Sequence, residues 1–456
     1  MLRGALLALF PLAVHGDCWD LQHPGNPRPE LLKPVPSGWR RPAWSAVAPT
    51  EPAPPPLPPA ARVCDVTAFG GKGDARTLNT AAIAAAIASC SSSISNDSSS
   101  GQPRRVVLLP GPGVYLSGLV DLSHTTALTL ELGEGAVLRS ALGVADWPAG
   151  LLPDPDHGEP QYAPFIFAAN ATDVAIVSSG GGAVELNGHD WWAPKCAGKP
   201  TPTGAVRPFA VRFDGCAGVR VEGITVLNPP FWAVVPTRSR RVRFHNASIV
   251  APAWSPNTDG FEPLGCSDVA VTGCFVSNGD DCVTIKVGCE AMASASSYFY
   301  SLTHSLTPPL LVSTHPSTCS LLAGIKGGCD GVVVADSYFA FGHGATIGSV
   351  TDHGVRNVRF SNIVLNATTD AMQIKGHSNS LPAVVDSVLY ENIRFFNLTA
   401  IHDTHHDPAM AVSGGVAEWW SGGGALGHSS HARLPSSLRL STRCFHCSMI
   451  ATHPAH

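Results

Sequence analysis

A short segment of alternating apolar residues recurs through the second half of this 456-residue chain and limits the folds that it can adopt. Copies of the segment begin at Val219, Val242, Val269, Val332, Val358 and Val388. Successive starts differ by 23, 27, 63, 26 and 30 residues. A period of about 25 residues is too short for a strand–helix–strand unit but is typical of a solenoid, whose stacked coils bury their inward side chains. It suits a β-sandwich less well, since sandwich strands recur about every 8–12 residues.

We therefore predict an all-β chain folded as a single-stranded right-handed parallel β-helix (a solenoid), with a short N-terminal capping helix. That helix is expected after Asn79, whose side chain is placed to cap it, with Ile83 and Ile87 at i and i+4 on one face. The 63-residue interval exceeds one coil of about 26 residues by about 37, which indicates an irregular insertion at residues 289–326.

The rest of the chain divides by composition. Residues 1–16 join one early positive charge to an apolar run, the pattern of a secretory signal peptide. Residues 17–62 form a Pro-rich lead, which favours an extended linker or stalk. The β-helix domain is predicted over 63–400. Residues 401–456 lose the periodicity, so we assign them no structure and expect a disordered tail.

Composition excludes some partners and favours export. Lys and Arg number 29 against 34 Asp and Glu, a net charge of −5, so the basic face of a nucleic-acid binder is not expected. No later apolar run is long enough for a membrane span, so we expect a soluble protein. We also expect it to be secreted and monomeric. Glycosylation acceptors lie at Asn96, Asn170, Asn246, Asn366 and Asn397.

Four polar motifs lie in the repeating region, about one coil apart once the insertion is removed. They are the runs Asn257–Gly260, Gly279–Cys282, Gly342–Gly344 and Gln373–Lys375. Asp259 precedes Asp280 by 21 residues and Asp281 by 22, so adjacent coils, about 4.8 Å apart, bring the three carboxylates together. Crowding raises the pKa of at least one of them. A protonated carboxyl beside ionised ones is what glycosidic bond hydrolysis requires.

Two further residues of these motifs, His343 and Lys375, add positive charge suited to an anionic substrate, and the glycines beside His343 would let a polymer approach the backbone. Alone, each motif is typical of a turn or a solvated loop. Their common spacing at the coil period favours a site instead.

Together these residues resemble the polygalacturonases, family 28 of the glycoside hydrolases, over a stretch from about Val63 to Asn397. The other runs that carry the resemblance are Asp65–Gly70, Gly73–Asp74, Asn187–Trp192 and Pro229–Trp232. The order Asn-Thr-Asp-Gly, Gly-Asp-Asp, Gly-His-Gly is its most specific part. The resemblance implies a right-handed parallel β-helix that degrades pectin, a polysaccharide of the cell wall.

It further implies cleavage of 1,4-α-D-galacturonosyl linkages with inversion, without a cofactor or a metal. In that reading Asp280 is the proton donor, Asp259 and Asp281 activate water, and His343 is the active-site histidine. The substrate contacts fall on Asn257, Gln373 and Lys375.

The chain departs from the family at Gln373, where an arginine is usual, and no coil beyond the tail boundary offers the family's substrate-binding tyrosine. Two alternatives therefore stay open. One is a pectate lyase-type β-helix, and the other is a catalytically impaired β-helix that only binds carbohydrate.

Overall fold

The computed structural model of the chain describes residues 34–36, 38–42, 49–91, 103–154, 159–287, 328–351, 353–375, 383–396, 400–405 and 410–419. The predicted signal peptide, the predicted insertion and the acceptors Asn96 and Asn397 lie outside the described residues.

The helices of the described part are α1 (Thr80–Ser91) and α2 (His189–Cys196), with a 3-10 helix at Val66–Phe69. Its strands are β1 (Ala60–Asp65), β2 (Asp74–Leu78), β3 (Arg104–Leu109), β4 (Gly113–Ser117), β5 (Val120–Asp121), β6 (Leu128–Leu132), β7 (Ala136–Ser140), β8 (Ala149–Pro153), β9 (Pro160–Tyr162), β10 (Ile166–Ala169), β11 (Thr172–Val177), β12 (Ala183–Glu185), β13 (Val211–Asp214), β14 (Ala217–Glu222), β15 (Thr225–Leu227), β16 (Val234–Thr237), β17 (Arg240–His245), β18 (Ser248–Val250), β19 (Ser267–Thr272), β20 (Phe275–Asn278), β21 (Val283–Ile285), β22 (Cys329–Ala335), β23 (Tyr338–Phe341), β24 (Ala345–Ile347), β25 (Val355–Asn366), β26 (Asp370–Lys375), β27 (Ala383–Phe396), β28 (Ala400–His405) and β29 (Met410–Trp419).

The strand register confirms the predicted right-handed parallel β-helix. The six valines that begin the repeated segments pair in one continuous row, from Val219 through to Val388, and all six are buried. The pairings are parallel except for β8 with β9. Each interval in the repeat, including the one of 63 residues, is therefore one coil of the described solenoid.

The repeated segments bend at a corner that the sequence marks with Gly, Asn or Asp. In the earlier coils each segment is two short strands, such as β14 and β15, rather than one. The fifth residue of every segment has a positive φ, between 49° and 68°. This corner row consists of Gly223, Asn246, Gly273, Asp336, Asn362 and Asn392. Left-handed backbone is tolerated best by these residue types, which explains the choice.

The N-terminal end of the solenoid is covered by α1, as predicted, with Ile83 and Ile87 buried and a disulfide between Cys64 and Cys90 joining it to β1. The prediction that Asn79 caps this helix is wrong. Its Oδ1 accepts from the amide of Lys72 over 2.7 Å, so the side chain closes the preceding loop instead.

The described part of the Pro-rich lead lies against the β-helix instead of projecting from it. We call residues 34–36, 38–42 and 49–59 the N-terminal strap. The ring of Trp39 lies 5.4 Å from that of Phe275, in an apolar cluster outside the main core. Arg41 donates to the Oδ1 of Asn246 and to the carbonyl of Gly273, both 2.8 Å away. The strap is therefore bound to the corner row.

Beyond residue 400 the two ladders continue, since β28 pairs with β26 and β29 pairs with β27. The other residues of the predicted tail lie outside the described ranges. Among the described helices, none has both the length and the apolar character needed to cross a bilayer.

Candidate functional site

The predicted acidic residues lie just before neighbouring strands of one narrow parallel sheet. Strands β21, β24 and β26 pair in register, and residues 261–264 bridge to β21 from the preceding coil. Asp259, Asp281 and His343 each lie two residues before the first paired residue of their coil. The register therefore places them on three consecutive coils, as their spacing predicts.

Asp280 is surrounded by hydrogen-bond donors. The Nδ1 atom of His343 lies 3.1 Å from its Oδ1, and the amide of Asp281 donates to the same oxygen over 2.8 Å. The Nδ2 atom of Asn257 donates to Oδ2 over 3.3 Å. Since Asp280 is only 7% exposed, these groups replace most of its hydration.

Asp281 is bound by donors from both following coils. The Nζ atom of Lys375 lies 2.9 Å from its Oδ2, and the Oγ1 atom of Thr346 donates to Oδ1 over 2.7 Å. The Nδ1 atom of His343 is 3.7 Å from the same Oδ1. Each carboxylate of the Asp280–Asp281 pair therefore lies beside at least one basic side chain.

Asp259 differs, because its Oδ1 is buried and has no hydrogen-bond partner among the described residues. Burial and the charges of Asp280 and Glu262 raise the pKa of Asp259 well above its usual range, and Lys286 opposes them only in part. These effects disfavour ionisation of the Asp259 carboxyl.

The ionisation of Asp280 is favoured instead. Burial raises its pKa, but the charge and hydrogen bond of His343, together with Lys375 and the amide of Asp281, lower it well below the usual range. Burial lowers the pKa of His343, but Asp280 and Asp281 outweigh that effect and raise it to about 9. For Lys375, burial is again outweighed by the two carboxylates, and its pKa rises to about 12. At neutral pH the side chains of His343 and Lys375 are therefore both positively charged.

Two of the predicted substrate contacts lie in different surroundings. Asn257 borders the cleft and accepts from Nη2 of Arg207 over 2.6 Å, so its amide is fixed in place. Gln373 pairs in register with Thr346 but is only 5% exposed and is not among the residues that line the cleft. A substrate contact through Gln373 stays a prediction.

The glycines around His343 serve the packing of coils. A Cβ atom on Gly342 would lie 2.0 Å from the carbonyl oxygen of Asp280, and one on Gly344 would lie 2.3 Å from that of Asp370. Both residues have a positive φ. Their smallness therefore allows neighbouring backbones to approach each other, and the approach of a polymer stays a prediction.

The carboxylate cluster opens into a cleft of about 1150 Å³. Phe231 and Trp232 line it and stack with Phe209, at ring separations of 5.0 to 5.7 Å. Arg207 lies 4.7 Å from the ring of Phe231, and Lys286 lies 4.1 Å from that of Trp232. An aromatic surface with two cations therefore borders the acidic groups.

Sequence reasoning missed Arg207 and Lys286. A signal existed for Lys286, because the alternation Val283-Thr-Ile285 directs residues 284 and 286 away from the core. No motif marks Arg207, which reaches Asn257 across 50 residues of sequence.

The ligand-type atoms of Asp280, Asp281 and His343 lie within 4.8 Å of one another, a spacing that a metal ion can bridge. Here the carboxylates already face Lys375 and a histidine whose pKa is raised to about 9. A cation would have to displace the proton of His343, so the donor set fits an acid–base site better than a metal site.

Fold and site together define a parallel β-helix whose cleft holds paired carboxylates. Paired carboxylates of this kind are typical of glycosidases. A sequence profile of Glycosyl hydrolases family 28 matches residues 155–302 and 322–401, half of the chain, and the chain belongs to that family.

Curated relatives carry related names. A "Probable polygalacturonase" of Vitis vinifera is 34% identical over 226 residues, which are 48% of this chain and 43% of that protein. A "Polygalacturonase" of Malus domestica is 25% identical over 361 residues, 73% of this chain and 68% of the relative. Two further relatives are matched over 64% and 42% of their own length. The chain therefore spans about half the length of several of its relatives.

Solved structures share the fold. An exopolygalacturonase of Thermotoga maritima aligns with a TM-score of 0.58 at 21% identity, over 82% of this chain and 80% of that one. A polygalacturonase of Erwinia carotovora gives 0.55 at 20% identity, over 79% and 84%.

Proposed function

We propose that this protein is a secreted glycoside hydrolase that cleaves 1,4-α-D-galacturonosyl linkages of pectin with inversion. The observation that carries the proposal is the placement of Asp259, Asp280 and Asp281 on adjacent coils in one cleft, beside two cations. The names of the relatives from Vitis vinifera and Malus domestica support the substrate class.

The charges of the cleft suit a polyuronate. Lys375 and His343 are both cationic at neutral pH, and both line the cleft with Lys286 and Arg207. Uronate carboxylates bind to such groups through charge-assisted hydrogen bonds. The rings of Phe231 and Trp232 offer an apolar surface for the faces of the sugars.

In the proposed reaction, Asp280 gives its proton to the glycosidic oxygen as the bond to the anomeric carbon breaks. A water molecule attacks that carbon from the opposite face and loses a proton to the pair Asp259 and Asp281. Inversion of configuration follows from the single displacement.

The pKa shifts favour a proton on Asp259 and ionisation of Asp280, so the proposed reaction needs a proton transfer first. Uronate carboxylates bound at Lys375 and His343 would offset the positive charge that stabilises ionised Asp280, and would raise its pKa. The carboxyls titrate as a coupled unit, so substrate binding can move one proton from Asp259 to Asp280. Each residue then has the charge state that its proposed role requires.

The disulfide chemistry supports an extracellular location. Cys64 and Cys90 are paired, and Cys196 is also disulfide-bonded, which is typical of proteins that fold in an oxidising compartment. We propose secretion to the cell wall, where the pectic substrate occurs. Recovery of the intact chain only from the reduced cytosol of its host would contradict this.

The test of function is a reducing-end assay on polygalacturonate with the parent and Asp280→Asn. We expect the substitution to lower the rate at least about 10²-fold, the usual scale for loss of general acid assistance. A matched control is Asp268→Asn, which changes a more exposed aspartate that pairs with Arg243 on another face. Equal rates for the parent and Asp280→Asn would remove Asp280 from its proposed role.

The same assay separates the alternatives. A lyase releases an unsaturated product that absorbs in the ultraviolet, whereas a hydrolase does not. A protein that only binds carbohydrate retains polygalacturonate on an affinity gel but releases no reducing ends. Either result would overturn the proposed hydrolysis.

A further inference from the structure

A buried ion pair lies beside the carboxylate cluster, outside the residues to which the sequence assigns a role. The Nζ atom of Lys286 is 2.6 Å from Oε1 of Glu262, and their side chains are only 7% and 0% exposed. The same Nζ atom lies 4.1 Å from the ring centroid of Trp232. Burying two charges costs several kcal/mol per ion in general, so a pair of this kind is weak evidence for a purely stabilising role.

The ion pair occupies the same two coils as the catalytic aspartates. Glu262 lies three residues after Asp259, and Lys286 lies five residues after Asp281. The register pairs Leu264 with Lys286, so the two coils are adjacent at this point. Lys286 lines the cleft together with Asp259.

The charges that face Asp259 are mostly negative. The largest charge effects on it come from Asp280, Glu262, Lys286 and Asp281. His343 and Lys375 bind to Asp280 and Asp281, and Arg207 binds to Asn257. Among the groups with the largest effects on Asp259, Lys286 carries the positive charge.

We propose that Lys286, held by Glu262 and the face of Trp232, is a positioning residue that keeps the buried carboxyl of Asp259 able to release its proton. The inference rests on the proposed role of Asp259 as a base. Without Lys286, Glu262 would remain a buried anion next to Asp259 that has lost this cation, and proton release from Asp259 would be suppressed. The negative charge of Glu262 raises the pKa of Asp259 and the positive charge of Lys286 lowers it, in agreement with this proposal.

The test is the pH dependence of kcat/KM for polygalacturonate in charge-changing variants. Lys286→Met keeps most of the side-chain length but removes the cation from Glu262, so the acid limb of the pH profile should move to higher pH by about one unit. Glu262→Gln removes the negative partner, so the acid limb should move to lower pH. The double variant Lys286→Met/Glu262→Leu removes both charges and should return the limb toward that of the parent.

A matched control is Arg139→Met, which removes the cation of the Arg139–Glu185 pair on β7 and β12, away from the cleft. Its acid limb should coincide with that of the parent. If all variants lose activity equally at every pH with an unmoved limb, the ion pair has only a structural role and the proposal is wrong.

A second measurement does not depend on activity, so it stands even if the parent releases no reducing ends. Thermal unfolding of the parent, Lys286→Met, Asp259→Asn and Lys286→Met/Asp259→Asn forms a cycle in which the cost of breaking the Lys286–Glu262 pair cancels. The coupling between the two substitutions should be small at low pH, where the Asp259 carboxyl is neutral, and should grow as rising pH ionises it. A coupling that is flat with pH would overturn the proposed interaction, whereas loss of hydrolysis alone would overturn only the proposed function.

Discussion

Lys375 and Asp281 are 94 residues apart in the chain, yet Nζ of the lysine lies 2.9 Å from Oδ2 of the aspartate. Two steps of parallel pairing, from β21 to β24 and from β24 to β26, bring them together. The coil between them supplies His343 and Thr346 to the same carboxylate pair. The site is therefore a product of coil stacking, and each of its groups depends on the register of its neighbours.

Replacing Lys375 tests this contact. We expect Lys375→Met to lower kcat/KM for polygalacturonate at least about tenfold, because Asp281 loses its cation and the substrate loses a carboxylate contact. Lys375→Arg keeps the charge but changes its geometry, so it should recover only part of the loss. Steady-state kinetics of both, beside the exposed Lys72→Met as a control, measures the effect. A kcat/KM for Lys375→Met within twofold of the parent would show that the contact has no part in the reaction.

The raised pKa of His343 predicts a pH dependence of stability. Folding raises this pKa from 6.5 to about 9, so the histidine contributes stability that is fully present below pH 6.5 and lost as pH rises through about 9. We expect His343→Gln to lower the unfolding temperature by several degrees at pH 6 and by much less at pH 10. Calorimetry of the parent and the variant across this range provides the measurement. A difference that is constant with pH would mean that His343 is not charged in the folded protein.

The sequence predicts the coil path well, because every coil repeats the same physical constraint. Inward valines recur at one register, and Gly, Asn or Asp recurs where the chain turns, so the period alone places Asp259 beside Asp281. The sequence predicts less about groups that contact the site from outside the repeated segments. Arg207 reaches Asn257 through a single hydrogen bond, and the capping role expected of Asn79 fails because Lys72 lies in reach of its side chain.

Gly342 limits how closely the coils of the site can pack. Its φ is +59°, and a Cβ atom there would lie 2.0 Å from the carbonyl oxygen of Asp280, which also accepts from the amide of His343. Gly342→Ala should therefore displace Asp280 from His343, lower activity at least about tenfold and destabilise the fold by about 1–3 kcal/mol. Reducing-end assays and urea unfolding measure the two effects.

The control for that substitution is Gly181→Ala. Gly181 also has a positive φ, of +70°, but no atom lies within 4 Å of the added methyl group. It should lose some stability through its backbone and keep full activity. If both variants kept full activity, the close approach of Gly342 to Asp280 would not be needed for the site.

The strap also contacts the solenoid at Asp336, a corner residue of the coil after the predicted insertion. Its carboxylate accepts from the amide of Thr50 over 2.9 Å and from that of Glu51 over 2.9 Å, and also from the amide group of Asn362. Burial raises the pKa of Asp336, but these hydrogen bonds outweigh that effect and lower it. The carboxylate is thus held ionised between the strap and two corners of the β-helix.

Asp336→Ala should release this part of the strap, because four donors, including Oγ1 of Thr50, lose their acceptor at once. Each unsatisfied donor costs about 1–3 kcal/mol where water cannot replace the partner, and we expect a total loss of about 2–4 kcal/mol in the free energy of unfolding. Urea unfolding measures this loss, and limited proteolysis should show faster cleavage before residue 60. Asp268→Ala is the control, because it removes a more exposed aspartate that pairs with Arg243 and also has a positive φ. It should show only the smaller loss of stability that comes from backbone strain, without faster cleavage. Equal stability and equal cleavage for Asp336→Ala and the parent would mean that the strap is held by its other contacts, chiefly Trp39 against Phe275.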